Sequence, residues 1–302
     1  MMDVLAGFGV VVAVIAVGWL LGRTEALGPG ARRVLANLVY LVATPALLFD
    51  ILLRTDPRTL FSENFLVIAG SAVLTGLLGF LLFRLRGRNA ADSLVGMLAS
   101  SYANAGNLGI PLAVYILDDA AVVIPVILFQ VAFYAPVTLT TLDLLHRSRQ
   151  AHLVRNIVGA LRNPMLLAAL AGLLVGYLRL PVPGLLSQPV SLLAGAAVPV
   201  ALLVFGMSLV GTRVRLSGDV LLAVALKNLV HPVIAGLVAA QMFGLTGAAL
   251  FALVVLGALP TAQNVLTYAL RFRTNEVLAR DVGVVSTLVS LPVLVVVTLL
   301  LG

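Results

Sequence analysis

The sequence predicts an all-α integral membrane protein: ten transmembrane helices arranged as two inverted five-helix repeats, with broken helices at positions four and nine. Three observations predict it. The 302-residue chain is 61% hydrophobic and 10% charged, with mean hydropathy +1.14. A soluble fold of that length has no way to bury so much apolar surface. Apolar runs of about 20 residues, enough for a helix to cross a bilayer, recur along the whole chain. Two of those runs, in matching halves, are interrupted by residues that break helices.

Taken in order, the apolar runs cover 3–22, 33–53, 64–83, 93–117 and 121–145, then 163–180, 189–211, 218–243, 247–270 and 277–301. None alternates apolar and polar residues as barrel strands do. The first run begins "MMD", without the basic start or the cleavage site of a signal peptide, and so reads as a retained helix. The connecting loops are short. The longest, 146–163, is basic and lies near the middle of the chain. It divides the protein into a first repeat, 1–145, a basic connector, 146–162, and a second repeat, 163–302.

The formal net charge is +7. A basic balance often signals nucleic acid, but here the arginines sit in short loops and at helix ends, where they set membrane orientation. Loops after the odd-numbered segments hold Arg23, Arg32, Arg33, Arg84, Arg86, Arg88, Arg147, Arg149, Arg155, Arg162, Arg213, Arg215, Arg271, Arg273 and Arg280. The opposite side holds only Arg54, Arg58 and Arg179. The positive-inside rule then puts the first set in the cytoplasm and both termini outside a cell (inner) membrane. Cysteine is absent, which excludes disulfides and thiol chemistry.

The repeat rests on matches at one offset, 154 residues. "GWLLG" at 18–22 meets "GLLVG" at 172–176, Pro29-Gly30 meets Pro183-Gly184, Pro45 meets Pro199, and Gly106 meets Pro260. Five helices per repeat is an odd number, so the second half enters the membrane with opposite topology.

Segment four contains "SYANAGNLGIPL", with Asn104, Asn107 and Pro111, and segment nine contains "GALPTAQNVL", with Pro260, Thr261, Gln263 and Asn264. Proline removes a backbone donor and glycine permits unwinding. Unwound backbone at membrane depth survives only inside protein or beside a cavity. Paired interruptions of this kind point to a transporter binding site, where half-helix N-termini attract an anion. The plainer alternative is a pair of kinked helices with small residues at packing contacts.

"NAGNLGIPL" at 104–112, "ALPTAQNVLTYALRF" at 258–272, "STLVSLPVLVVV" at 286–297 and "TPALLF" at 44–49 resemble the auxin efflux carrier family. That family includes bacterial malate and malonate permeases and the plant auxin carriers. The resemblance implies a secondary active transporter of a small organic anion, a mono- or dicarboxylate such as an auxin-like acid or one of the malate and malonate class. It implies elevator-type alternating access, with the broken helices 4 and 9 crossing at the substrate site, a scaffold from helices 1, 2, 6 and 7 and a transport domain from helices 3–5 and 8–10. It makes Asn104 the first candidate for a carboxylate contact and Gln130 a neighbour of the substrate. Asn107, Pro111, Pro260, Thr261, Gln263 and Asn264 complete the candidate set. The family often forms homodimers. This chain has a far shorter central loop than the plant carriers, and Ala103 stands where they carry proline, so substrate identity does not transfer.

Lys227 and His231 are four apart within segment eight and share a face. Intramembrane ionisable groups are functional candidates. Lys227 can neutralise an anion, take the place of a coupling cation, or snorkel to the interface. His231 can carry a proton or bond a backbone carbonyl. Asp50 is expected beside Arg54. No acidic residue lies within segments four or nine, so the expected coupling ion, if any, is H+ or a Na+ held by neutral oxygens. No cofactor, metal site or nucleic-acid partner is expected. No H-E-x-x-H, G-x-S-x-G or P-loop is present, which argues against an enzyme. The alternative class is a membrane sensor that binds a ligand without moving it.

Overall fold

The computed structural model describes residues 2–54, 63–145, 163–211 and 214–302. The basic connector expected at 146–162 lies outside the described residues, as do Arg58 and Arg213. The described residues are almost entirely helical, and their one strand-like feature is an isolated bridge. The helices are α1 (Met2–Thr24), α2 (Ala31–Leu53), α3 (Glu63–Leu85), α4 (Ala90–Ser101), α5 (Ala105–Leu117) and α6 (Ala120–Leu142). After the connector come α7 (Pro164–Tyr177), α8 (Gly184–Ser208), α9 (Gly218–Met242), α10 (Gly247–Ala258), α11 (Gln263–Phe272) and α12 (Glu276–Leu301).

Among the described residues, six helices are long and apolar enough to cross a membrane: α2, α3, α6, α8, α9 and α12. Shorter apolar helices are Val12–Thr24, α5, α7 and α10. The outer face of α8 carries bare leucine, including Leu185 at 85% and Leu192 at 80% exposure. Lipid, not water, satisfies such a surface. The chain is a multi-pass membrane protein.

Local chemistry starts the helices. Asn89 caps α4 by accepting from the Asp92 N–H at 2.8 Å, and Asn163 caps α7 by accepting from Met165 N at 2.9 Å, with Pro164 behind it. Four helices contain a π turn that ends two residues before a proline: Val39–Ala43 before Pro45, Ala105–Gly109 before Pro111, Gln130–Tyr134 before Pro136 and Leu226–Val230 before Pro232. Proline clashes with the carbonyl four residues back, and that carbonyl lies in the widened turn each time. The helix absorbs the proline there without breaking.

Two helix pairs set the frame. α1 lies against α8, and α7 lies against α2. A methyl added to Gly18 or Gly22 of α1 would strike the backbone of Leu203 or Met207 of α8. A methyl added to Gly172 or Gly176 of α7 would strike the backbone of Phe49 or Leu53 of α2. Small residues let the backbones touch, which is how helices associate where lipid removes the hydrophobic drive.

At one end of the bundle, polar side chains tie three loops together. Asp219, at the start of α9, accepts from Arg86 Nε at 2.8 Å and Arg88 Nε at 2.6 Å. Asp281 accepts from Arg280 Nε at 2.7 Å and from the Arg215 N–H at 3.1 Å, while Thr274 donates to Asp92 at 2.8 Å. At the other end, Asp50 pairs with Arg54 at 3.2 Å.

The close approach of α7 to α2 can be tested by overpacking. Gly172→Val is expected to lower stability by about 1–3 kcal/mol, read as a lower melting temperature in detergent. Gly195→Val is expected to be silent, because nothing lies within 4 Å of a Cβ there.

Candidate functional site

Segment four breaks between α4 and α5, at residues 102–104, and segment nine breaks between α10 and α11, at residues 259–262. The two breaks face each other. Ala103 and Thr261 form an antiparallel bridge; Asn104 N donates to Pro260 O at 2.8 Å, and Ala262 N donates to Tyr102 O at 2.9 Å. Four half-helix ends therefore meet at one point. The C-terminal ends of α4 and α10 bring their unspent carbonyls, and the N-terminal ends of α5 and α11 bring their unspent N–H groups.

On the inner side of the bridge, buried polar groups take up those carbonyls. Gln130 Nε2 donates to Ala103 O at 2.9 Å, and Thr261 Oγ1 donates to Ala99 O at 2.6 Å. Thr261 N donates to Ser286 Oγ at 3.0 Å, and Asn228 Nδ2 donates to Ser286 O at 3.1 Å. Lys227 Nζ donates to Gly257 O at 2.7 Å and lies 3.0 Å from His231 Nδ1. Lys227 is fully buried and does not snorkel. A chamber of about 20 Å³, room for about one water, is lined by Gln130, His231, Ser71, Ser101, Ala103 and Gly257.

The outer side of the bridge differs. Gln263 and Asn264, at the start of α11, are exposed, and Asn107 in the first turn of α5 is half-buried. Asn104 sits between the two sides. Its backbone is fully engaged, since N bonds Pro260 and O accepts from Leu108 N at 3.1 Å and Gly109 N at 2.9 Å. Its side chain makes no capping bond to the helix it begins. The bridge thus holds the Asn104 amide in place without using it.

The two candidate prolines part company. Pro260 is in the break itself and supplies the bridging carbonyl. Pro111 is buried within α5, past the break, and acts on the π turn there. Sequence reasoning missed Ser286 and Asn228, which close the inner network, although Ser286 opens the quoted stretch "STLVSLPVLVVV". It also missed an aromatic wall. Tyr102 stacks on Tyr134 with centroids 5.7 Å apart, and the Tyr134 hydroxyl bonds Ser101 Oγ at 2.6 Å. Asn228 Oδ1 is buried without a partner among the described residues.

Sequence comparison places the chain among membrane transport proteins. Residues 8–298 match the family described as membrane transport protein, and the chain belongs to that auxin efflux carrier-like family. A similar protein, from Rhizobium meliloti (strain 1021), carries the name "Putative malonate transporter". It is 28% identical over 262 residues, covering 84% of this chain and 81% of that protein.

The inner network should be sensitive to loss of a single donor. Gln130→Leu removes the side-chain donor to the Ala103 carbonyl, which keeps Ala105 N at 2.8 Å, and Thr261→Val removes the side-chain donor to Ala99. Thr261→Val is expected to cost about 1–3 kcal/mol and Gln130→Leu about 0.5–1.5 kcal/mol, measured as a loss of thermal stability of the purified protein. Unchanged melting in both would show that these bonds do not hold the breaks together.

Proposed function

We propose that this protein is a secondary active carrier of a small organic anion, a mono- or dicarboxylate of the malonate or malate class. The observation that carries the reading is the antiparallel bridge between two broken helices. It brings two positive half-helix ends to one place, beside a buried, uncommitted Asn104 amide, the half-buried Asn107 and the exposed Gln263 and Asn264. A carboxylate gains from N–H donors, amide donors and both helix dipoles there. The inner network holds the break rigid behind it. The name carried by the Rhizobium meliloti relative favours a short dicarboxylate.

The architecture proposed is two inverted five-helix repeats, 1–145 and 163–302. The frame contacts support it. The α1–α8 contact pairs Gly18 with Leu203, and the α7–α2 contact pairs Gly172 with Phe49. Both members are shifted by the same 154 residues that relate "GWLLG" to "GLLVG". In this reading α1, α2, α7 and α8 form the scaffold and the remaining helices the moving transport domain of an elevator. Both termini face outward across a cell (inner) membrane, and two copies form a dimer.

Counterflow in proteoliposomes tests the carrier. Labelled malonate or malate is expected to accumulate against trapped unlabelled substrate. Asn104→Ala is expected to abolish that exchange while keeping its elution profile and melting temperature. Wild-type exchange by the variant would remove Asn104 from the site. Saturable binding with no counterflow would make the protein a sensor.

A further inference from the structure

Lys227 is the one fully buried lysine or arginine among the described residues. Each of the four described ion pairs is made by an arginine, so among the described residues no carboxylate pairs with Lys227. Its two partners are neutral: Gly257 O at 2.7 Å and His231 Nδ1 at 3.0 Å. Gly257 lies in the last turn of α10, where unspent carbonyls gather partial negative charge. A cation in the membrane without a counter-charge is costly, so its place in a fold needs a reason.

The surroundings supply one. A transported anion at the outer side of the bridge brings negative charge into low dielectric, where charges act over longer distances. Carriers commonly meet that cost with a metal cation held by the carbonyls of a broken helix. Here four carbonyls at the junction already have protein donors: Ala103 O from Gln130, Ala99 O from Thr261, Ser286 O from Asn228 and Gly257 O from Lys227. Among the described residues no cluster of His, Asp and Glu is placed to hold a metal ion.

Building on the carrier reading, we propose that Lys227 is a resident counter-cation. Its ammonium group caps the carbonyl end of α10 in the position a coupling metal ion would occupy. It balances the bound anion in every cycle, and transport needs no inorganic cation. His231 holds the ammonium in place from the side facing the chamber, leaving the Gly257 carbonyl as its second anchor. Four residues along one helix put Lys227 and His231 within reach of each other, and the π turn Leu226–Val230 presents both to α10.

The test combines ion replacement with removal of the lysine. The melting temperature of the wild-type protein is expected to be the same in sodium, potassium and choline chloride at one pH and ionic strength. A sodium-specific rise would overturn the proposal. Lys227→Ala is expected to melt lower than wild type in choline chloride and to be restored by ethylammonium, which leaves wild type unchanged. No response to ethylammonium would overturn it too. In counterflow, wild type is expected to exchange malonate equally with or without sodium, while Lys227→Met loses exchange by at least about tenfold. Undiminished exchange by Lys227→Met would count against the lysine. If neither variant folds, the wild-type ion series decides. If wild type exchanges no carboxylate, the carrier reading fails, and the melting series still decides the role of the lysine.

Discussion

A backbone polar group at membrane depth must find its partner inside the protein, because lipid offers none. This constraint organises the centre of the molecule. Each break exposes donors and acceptors that its own helix no longer satisfies, and the bridge between 102–104 and 260–262 lets each break satisfy the other. Pro260 fits the arrangement because it has no N–H to satisfy and offers only the carbonyl that Asn104 N needs. Side chains complete the accounting: Gln130, Thr261 and Ser286 each bond a backbone group that the bridge leaves over. Neither break is tenable alone, so the two halves of the chain are locked together where their helices are weakest.

The rest of the fold keeps that junction in position. Glycines bring α1 onto α8 and α7 onto α2, and backbone contact replaces the hydrophobic drive that lipid removes. π turns absorb four prolines that would otherwise open more breaks. At the arginine-rich end, Asp219 draws the loop between α3 and α4 onto the start of α9. These exposed arginines add little energy individually, since solvent screens them, but they register three loops against one another. Around the bridge the charge pattern is uneven. Carbonyl ends are covered from within by amides and a lysine, while the N–H ends lie toward accessible amide side chains. That asymmetry is the one the proposed carriage of an organic anion requires.

Much of this was legible in the sequence. Apolar runs announced the membrane, paired Asn, Gly and Pro clusters announced the two interruptions, and Asn104, Gln130 and Thr261 all lie at the junction. Lys227 and His231 were placed on one face by their spacing and are in contact. What could not be read was which polar residue faces which side. Pro111 looked like part of the break and lies beyond it, while Thr261 is buried and its near neighbours Gln263 and Asn264 are exposed. Helical phase fails as a guide here. A π turn inserts a residue and rotates everything after it by about 100°, and an unwound stretch resets the phase altogether.

The sequence by itself determined the helical membrane class and the two places where the helices give way, because both follow from local composition: apolar length for the spans, and missing donors or missing side chains for the breaks. Only the tertiary structure decided that the two breaks bond each other, that Ser286 and Asn228 close the network from another helix, and that Lys227 points to the carbonyl end of α10 and not to the interface. Those outcomes depend on partners far apart in the chain. A polar group at membrane depth has no preference of its own beyond being satisfied, and packing alone determines which partner is within 3 Å.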